Sequence, residues 1–283
     1  MKALLIVSYL ILSAVVIFAV PGMVAPFADY SMLDGGQAVL LCFVLATIVG
    51  YFIYRDKEQG PFLLQLFALG LLVRMLVATG IFAFNAQEFF GGDAITYDFF
   101  GYAQMRAWQG DEYYKVIADR FVGGQATAWG MIRMIAVVYS LIGRNTLAIQ
   151  FVNSVVGSAT AILVFHCAQH VYKNIRVARI AAICVAFFPS LVLWSAQGLK
   201  DAPIVFFLVL AILASLRLSE KFSITNSGIL IVALFSILSL RFYVFYMIAV
   251  AIGGGFILGL QKITPSNFVR QFVVLLLVGV SLT

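Results

Sequence analysis

The chain has 283 residues, of which 63% are hydrophobic and 11% charged, with a mean hydropathy of +1.06. A soluble domain is about 45–50% apolar and about 25% charged, so an ordinary water-soluble fold is excluded. The net charge of +6 does not indicate nucleic acid, because basic residues of membrane proteins gather at the cytoplasmic ends of spans.

Apolar runs long enough to cross a bilayer recur along the chain. They predict spans at residues 3–20, 37–54, 61–84, 147–168, 178–196, 202–217, 227–241, 243–260 and 269–283. The fold expected is all-α, a polytopic transmembrane bundle of about nine spans forming a single integral membrane domain over 1–283. The run from Ala3 to Val20 is longer than a signal-peptide core and no clean Ala-x-Ala site follows, so it reads as a retained span. Pro61 and Pro203 suit first helical turns, with Asp201 as the expected cap of the second; Pro189 predicts a kink. The last run stops at Thr283 and is short for a span.

Segment 131–143 is apolar but only about 13 residues long, too short to cross easily. If it does not cross, Lys173, Arg176, Arg179, Arg217, Lys221, Lys262 and Arg270 face the same side as Lys2, Arg55 and Lys57. The positive-inside rule then makes 131–143 interfacial or re-entrant, the N-terminus cytoplasmic and the loop 85–130 extracytoplasmic. Arg144, Lys200, Asp201 and Arg241 fall on the loop's side. The expected setting is a multi-pass protein of a plasma or inner membrane.

Loop 85–130 is the long polar segment and holds six of the 12 acidic residues: Glu88, Asp93, Asp98, Asp111, Glu112 and Asp119. Phe99, Phe100, Tyr102, Ala103, Ala107 and Trp108 alternate with polar neighbours, and Tyr113 to Val122 has a similar character. Both suit interfacial helices at the headgroup level. Asp93 follows Gly91-Gly92, where the backbone can turn and bring a carboxylate to a ligand. It is a candidate general base, with a loop acid or helix cap as the plain alternative. Asp98 is a metal ligand, a second acid or a plain surface charge, and on a helix it points in a different direction from Asp93. Asp111-Glu112 after Gly110 marks a turn, with binding of a hard cation as the alternative.

Arg74 lies inside a span, where a charge costs about 2.5–3.5 kcal/mol on insertion scales unless it is paired. A phosphate or a carboxylate such as Asp93 is the expected partner, against a purely structural ion pair. Arg241 and Lys200-Asp201 sit at turns on the loop side and suit phosphate binding or interface anchoring. His166 and His170 have metal-pair spacing but lie at the far end of their span, and read as interfacial. The three cysteines have neither metal-like nor disulfide spacing.

Two segments carry a resemblance. Gly92-Asp93-Ala94-Ile95-Thr96-Tyr97, followed by Ala103 and Gly110, resembles the outer-loop pattern of polytopic GT-C-type glycosyltransferases, the group of protein O-mannosyltransferases and aminoarabinose transferases. Phe188-Pro189-Ser190-Leu191-Val192-Leu193-Trp194-Ser195 and Leu199-Lys200-Asp201 resemble a mid-chain run of such enzymes, and Ile142-Gly143-Arg144-Asn145 also fits. The loop follows the third span here, whereas in that group it usually follows the first.

The resemblance implies sugar transfer from a polyprenyl-phosphate carrier to an extracytoplasmic glycan, lipid or protein, with inversion. Asp93 would be the base, with Asp98 second. Tyr97, Arg74, Lys200, Asp201 and Arg241 would bind substrate. A divalent metal serves some members, but no compact ligand cluster demands one here. Membrane lipids and membrane-protein partners are expected; nucleic acid is not. A non-catalytic subunit of the same fold is the alternative reading, and a lipid or solute transporter the third.

Overall fold

The computed structural model describes residues 19–23, 31–90, 92–122 and 129–258. Those residues form an all-α protein. Its main helices are α1 (Met32–Tyr54), α2 (Gly60–Ala83), α3 (Asp93–Trp108), α4 (Glu112–Val122), α5 (Trp129–Ile142) and α6 (Thr146–Tyr172). They continue as α7 (Ile175–Phe187), α8 (Pro189–Ser195), α9 (Asp201–Glu220), α10 (Ile224–Leu240) and α11 (Phe242–Leu258). The predicted spans 3–20 and 269–283 lie outside the described residues, apart from the last two positions of the first.

Helices α1, α2, α6 and α9 are long and apolar enough to cross a membrane, and α7 with α8 adds a fifth as a bent pair. α10 and α11, each 17 residues, are apolar but shorter. The bend between α7 and α8 is 53° and falls at Pro189, as the sequence predicts. Proline has no N–H to offer the carbonyl of Val185 and its ring clashes with the preceding turn.

α6 is the central post. It packs against α1, α2, α7 and α9, and its middle is built from Asn153, Ser154, Gly157, Ser158, Ala159, Thr160 and Ala161. In lipid no hydrophobic force separates helix from solvent, so small side chains that allow close backbone approach decide which helices touch. Asn145 starts the helix by accepting from the Ala148 N–H at 3.0 Å. α1 begins with a capping box in which Ser31 and Asp34 each satisfy the other's backbone N–H.

The connections fall at two ends of the bundle. At one end Asn145 donates to the Asp34 carbonyl at 2.8 Å, Arg144 meets Asp98, and Arg241 meets Asp201. At the other, Arg179 meets Gln59 at 2.8 Å, and Lys173 and His170 both meet Glu220 at 3.3 Å. Successive long helices therefore run in alternating directions.

α5 is about 21 Å long at 1.5 Å per residue, short of a hydrocarbon core of about 30 Å. Trp129 stacks edge-on against Phe235 near the end of α10, while Arg144 just past α5 reaches Asp98. Both flanks thus belong to the same end of the bundle, which favours a helix that does not cross. α3 lies on α5 with Gly101 pressed against Ile135. A methyl group added at Gly101 would sit 2.7 Å from the Ile135 Cβ and 2.3 Å from its Cγ2. Because a Cβ is fixed to its backbone, the helices must separate. Gly101→Ala should cost about 1–3 kcal/mol and lower the apparent melting temperature. Gly80→Ala, which meets nothing within 4 Å, should leave it unchanged.

Candidate functional site

α3 starts at Asp93, directly after Gly92, so the acid occupies the first helical turn. Its exposed carboxylate lies near the phenol of Tyr97, one turn along the same face, close enough for its charge to act on that hydroxyl. The α8–α9 connection brings Lys200 over the Tyr97 ring, with Nζ 5.3 Å from the centroid. Arg241, which follows α10, reaches Asp201 at 3.4 Å. Asp93, Tyr97, Lys200, Asp201 and Arg241, drawn from three distant stretches of sequence, therefore form one cluster of alternating charges at one end of the bundle.

The electrostatics agree with that convergence. Burial pushes the Tyr97 hydroxyl up to about 12, and the charge of Asp93 adds to it. The phenol thus stays a proton-bearing donor throughout the physiological range. Lys200 shifts the other way, below an ordinary lysine, chiefly because burial disfavours its charge and secondly because Arg241 repels it; Asp93 and Asp201 oppose the shift. Activity that needs charged Lys200 is present below its pKa and lost as pH rises through it. Its alkaline limb should lie below 10.5, and Lys200→Arg should move that limb upward in a pH profile of kcat/KM.

Asp98 does not join this cluster. Five residues after Asp93 it is turned by about 140° around the helix. It is 9% exposed and accepts from the Tyr139 hydroxyl at 2.5 Å and from Arg144. Asp98 therefore anchors α3 to α5 and to the start of α6, and takes no place beside Asp93.

Arg74 is also elsewhere. It is 1% exposed and pairs with neither Asp93 nor any other carboxylate among the described residues. Its Nε donates to Ser195 Oγ at 2.8 Å, and its Nη1 to the carbonyls of Ala186 at 2.7 Å and Gly70 at 3.0 Å. The Ala186 carbonyl lies in the last turn of α7, next to the Pro189 break, where a helix carries its negative dipole end. That end, not an acid, meets the guanidinium. Arg74 also lines an apolar cavity of ≈ 290 Å³ with Thr160, Trp194 and Asp201, so the cavity reaches from the arginine to the cluster.

Asp201 is the first residue of α9 and makes no cap; its carboxylate goes to Arg241 instead. Asp111 behaves as the predicted turn acid. It accepts from the Tyr113 N–H at 3.2 Å and from Arg106 at 2.9 Å, which holds its carboxyl below the usual range. Among the described residues no three His, Cys, Asp or Glu gather as metal ligands.

Sequence reasoning gave no role to Gln87, Gln150 and Gln197, which lie hydrogen-bonded in series beside α3. The available signal was Gln150 and Asn153 inside an otherwise apolar span.

The model of one protein family, dolichyl-phosphate-mannose-protein mannosyltransferase, matches residues 129–283. The chain belongs to this family. The family's fold is of the GT-C type, and its membership makes this protein a membrane glycosyltransferase by kind. The matched stretch contains Lys200, Asp201 and Arg241 and begins after Asp93 and Tyr97. Neither the curated proteins nor the solved structures offer a match to the chain.

Proposed function

We propose that the protein transfers a sugar from a polyprenyl-phosphate-linked donor to an extracytoplasmic acceptor, with inversion at the anomeric carbon. The observation that carries this reading is the meeting of Asp93 with Lys200 and Arg241. An acid and two bases, supplied by separate elements, face one another at the same end of the bundle. Glycosyl transfer from a lipid phosphate needs both kinds of group. One must take the proton of the attacking hydroxyl, and the other must hold the charge left on the phosphate.

Asp93 is the base. It is exposed, with the Tyr97 phenol one helical turn along on the same face. The acceptor oxygen attacks the anomeric carbon as its proton passes to Asp93, and the bond to the phosphate oxygen breaks with its electron pair on the lipid phosphate. A single displacement of this kind inverts the configuration. Lys200 and Arg241 stabilise the departing phosphate, and Asp201 orients Arg241. Arg74 acts at longer range, as the positive end of the apolar cavity that leads toward the cluster. The helices of loop 85–130 lie at the extracytoplasmic interface and roof the site.

Donor dependence tests the reading. Protein in proteoliposomes should release free polyprenyl phosphate from a polyprenyl-phosphate sugar in step with acceptor glycosylation. Turnover of a nucleotide sugar, with the lipid donor untouched, would overturn it.

A further inference from the structure

The other flank of α3 holds a second site with different chemistry. A cavity of ≈ 690 Å³ lies between the end of α2, the first turns of α3 and the start of α6, within the size range of small-molecule sites. Its polar lining comes from Asn85, Gln87, Asp98, Tyr139, Arg144 and Gln150. Arg144 engages Asp98 through both its Nε and one Nη, whereas Arg241 meets Asp201 through Nη1 alone, so this lining has no net charge to draw a phosphate.

The amides are ordered in one direction. Gln150 Nε2 donates to Gln87 Oε1 at 3.1 Å, Gln87 Nε2 donates to Gln197 Oε1 at 3.0 Å, and Gln197 Nε2 donates to the Leu193 carbonyl at 3.2 Å. Each of these donors is engaged, and the acceptor at the head of the series, Gln150 Oε1, has no hydrogen-bond partner among the described residues. Gln150 is 3% exposed and its Oε1 is closed to water as the amide stands, so a ligand in the cavity meets that oxygen once the amide turns toward it. Between these amides the wall is apolar, with Ile81, Ile135 and Ile149. A ligand matching it carries neutral groups that both donate and accept, set around C–H faces. Saccharide hydroxyls on a pyranose ring have that chemistry.

The cavity also abuts the charged cluster. Ala94 and Gly198 line it, the first next to Asp93 and the second two residues before Lys200. We propose that this cavity seats the acceptor, and that the acceptor is a neutral saccharide. The proposal rests on the glycosyl-transfer reading above. Phosphate-bearing donor and neutral acceptor then approach the first turn of α3 from opposite flanks.

Ile95 lines the cavity and is 42% exposed, which makes it a reporter position. The exposed Cys184 is first replaced by Ser, and Ile95→Cys is then alkylated with a maleimide in reconstituted protein. Methyl hexopyranosides and disaccharides should slow alkylation at least fivefold at saturation. Inorganic phosphate and polyprenyl phosphate should not. Gln150→Met, which keeps side-chain length and removes the acceptor oxygen, should raise the half-protecting saccharide concentration about tenfold. Alkylation of the unliganded variant at the parent rate shows that its fold is intact.

Protection by either phosphate without protection by saccharide overturns the proposal, as does no protection by any glycoside, or protection indifferent to Gln150→Met. Adding Asp93→Asn separates the two readings. Saccharide protection with undiminished transfer in that variant removes the catalytic reading and keeps the site. Transfer lost without saccharide protection removes the site alone.

Discussion

Replacing Asp93 by Asn should reduce sugar transfer by about 10²–10⁴-fold while leaving the protein folded and inserted. The amide keeps the size and polarity of the carboxylate beside the Tyr97 phenol. What it loses is the ability to take a proton, so the loss should appear in kcat, with donor affinity nearly unchanged. Because Asp93 is exposed and Asn matches it in size and polarity, its replacement should leave the apparent melting temperature where it was. Those two readouts distinguish a chemical role from a structural one. A variant that transfers at the parent rate would remove Asp93 from the reaction.

The second large effect concerns the acid that the geometry takes away from the chemistry. Arg144→Ala leaves Asp98 buried beside Tyr139 without its counter-charge. Breaking a buried pair by removing one partner costs about 3–5 kcal/mol. Here the low end applies, about 3 kcal/mol, because the Arg144 side chain is 46% exposed and water screens part of the interaction. Asp98→Asn should cost less: the cation left behind can turn to solvent, and the amide oxygen still accepts from Tyr139. Thermal unfolding of both proteins in detergent checks the order. Asp98→Asn should also keep kcat within about tenfold of the parent, the span of one ordinary hydrogen bond. A collapse of kcat as deep as that of Asp93→Asn, with the fold unchanged, would give Asp98 a chemical role.

Much of this was legible from the sequence. Pro189 marked the bend because the missing N–H breaks a helix wherever it falls in the interior. The shortness of 131–143 suggested an interfacial or re-entrant segment, and its two flanks make contacts at the same end of the bundle. Charge and turn positions placed Asp93, Lys200, Asp201 and Arg241 on one face, which is where the fold gathers them.

Other features depend on tertiary contacts that no local pattern encodes. A lone arginine in a span suggests an acid partner, but Arg74 meets helix-end carbonyls freed at a break more than 100 residues away in sequence, with the Ala186 contact separated by 112 positions. Asp98 carries the same charge as Asp93 in the same segment. Only the 100° step of the helix, together with Arg144 arriving from the start of α6, separates a buried tie from an exposed acid. The glutamine series joins residues from α6, the loop after α2 and the loop after α8, and each looks unremarkable alone.

A single displacement at the α3 cluster inverts the anomeric carbon, so the configuration of the product decides whether it occurs. A polyprenyl-phosphate sugar of one defined anomer is given to the reconstituted protein, and the linkage formed is read by NMR. The parent protein should form the opposite anomer, and Asp93→Asn should lose it. A product that retains the donor's configuration, or one formed as fast without the Asp93 carboxylate, would contradict a single displacement there.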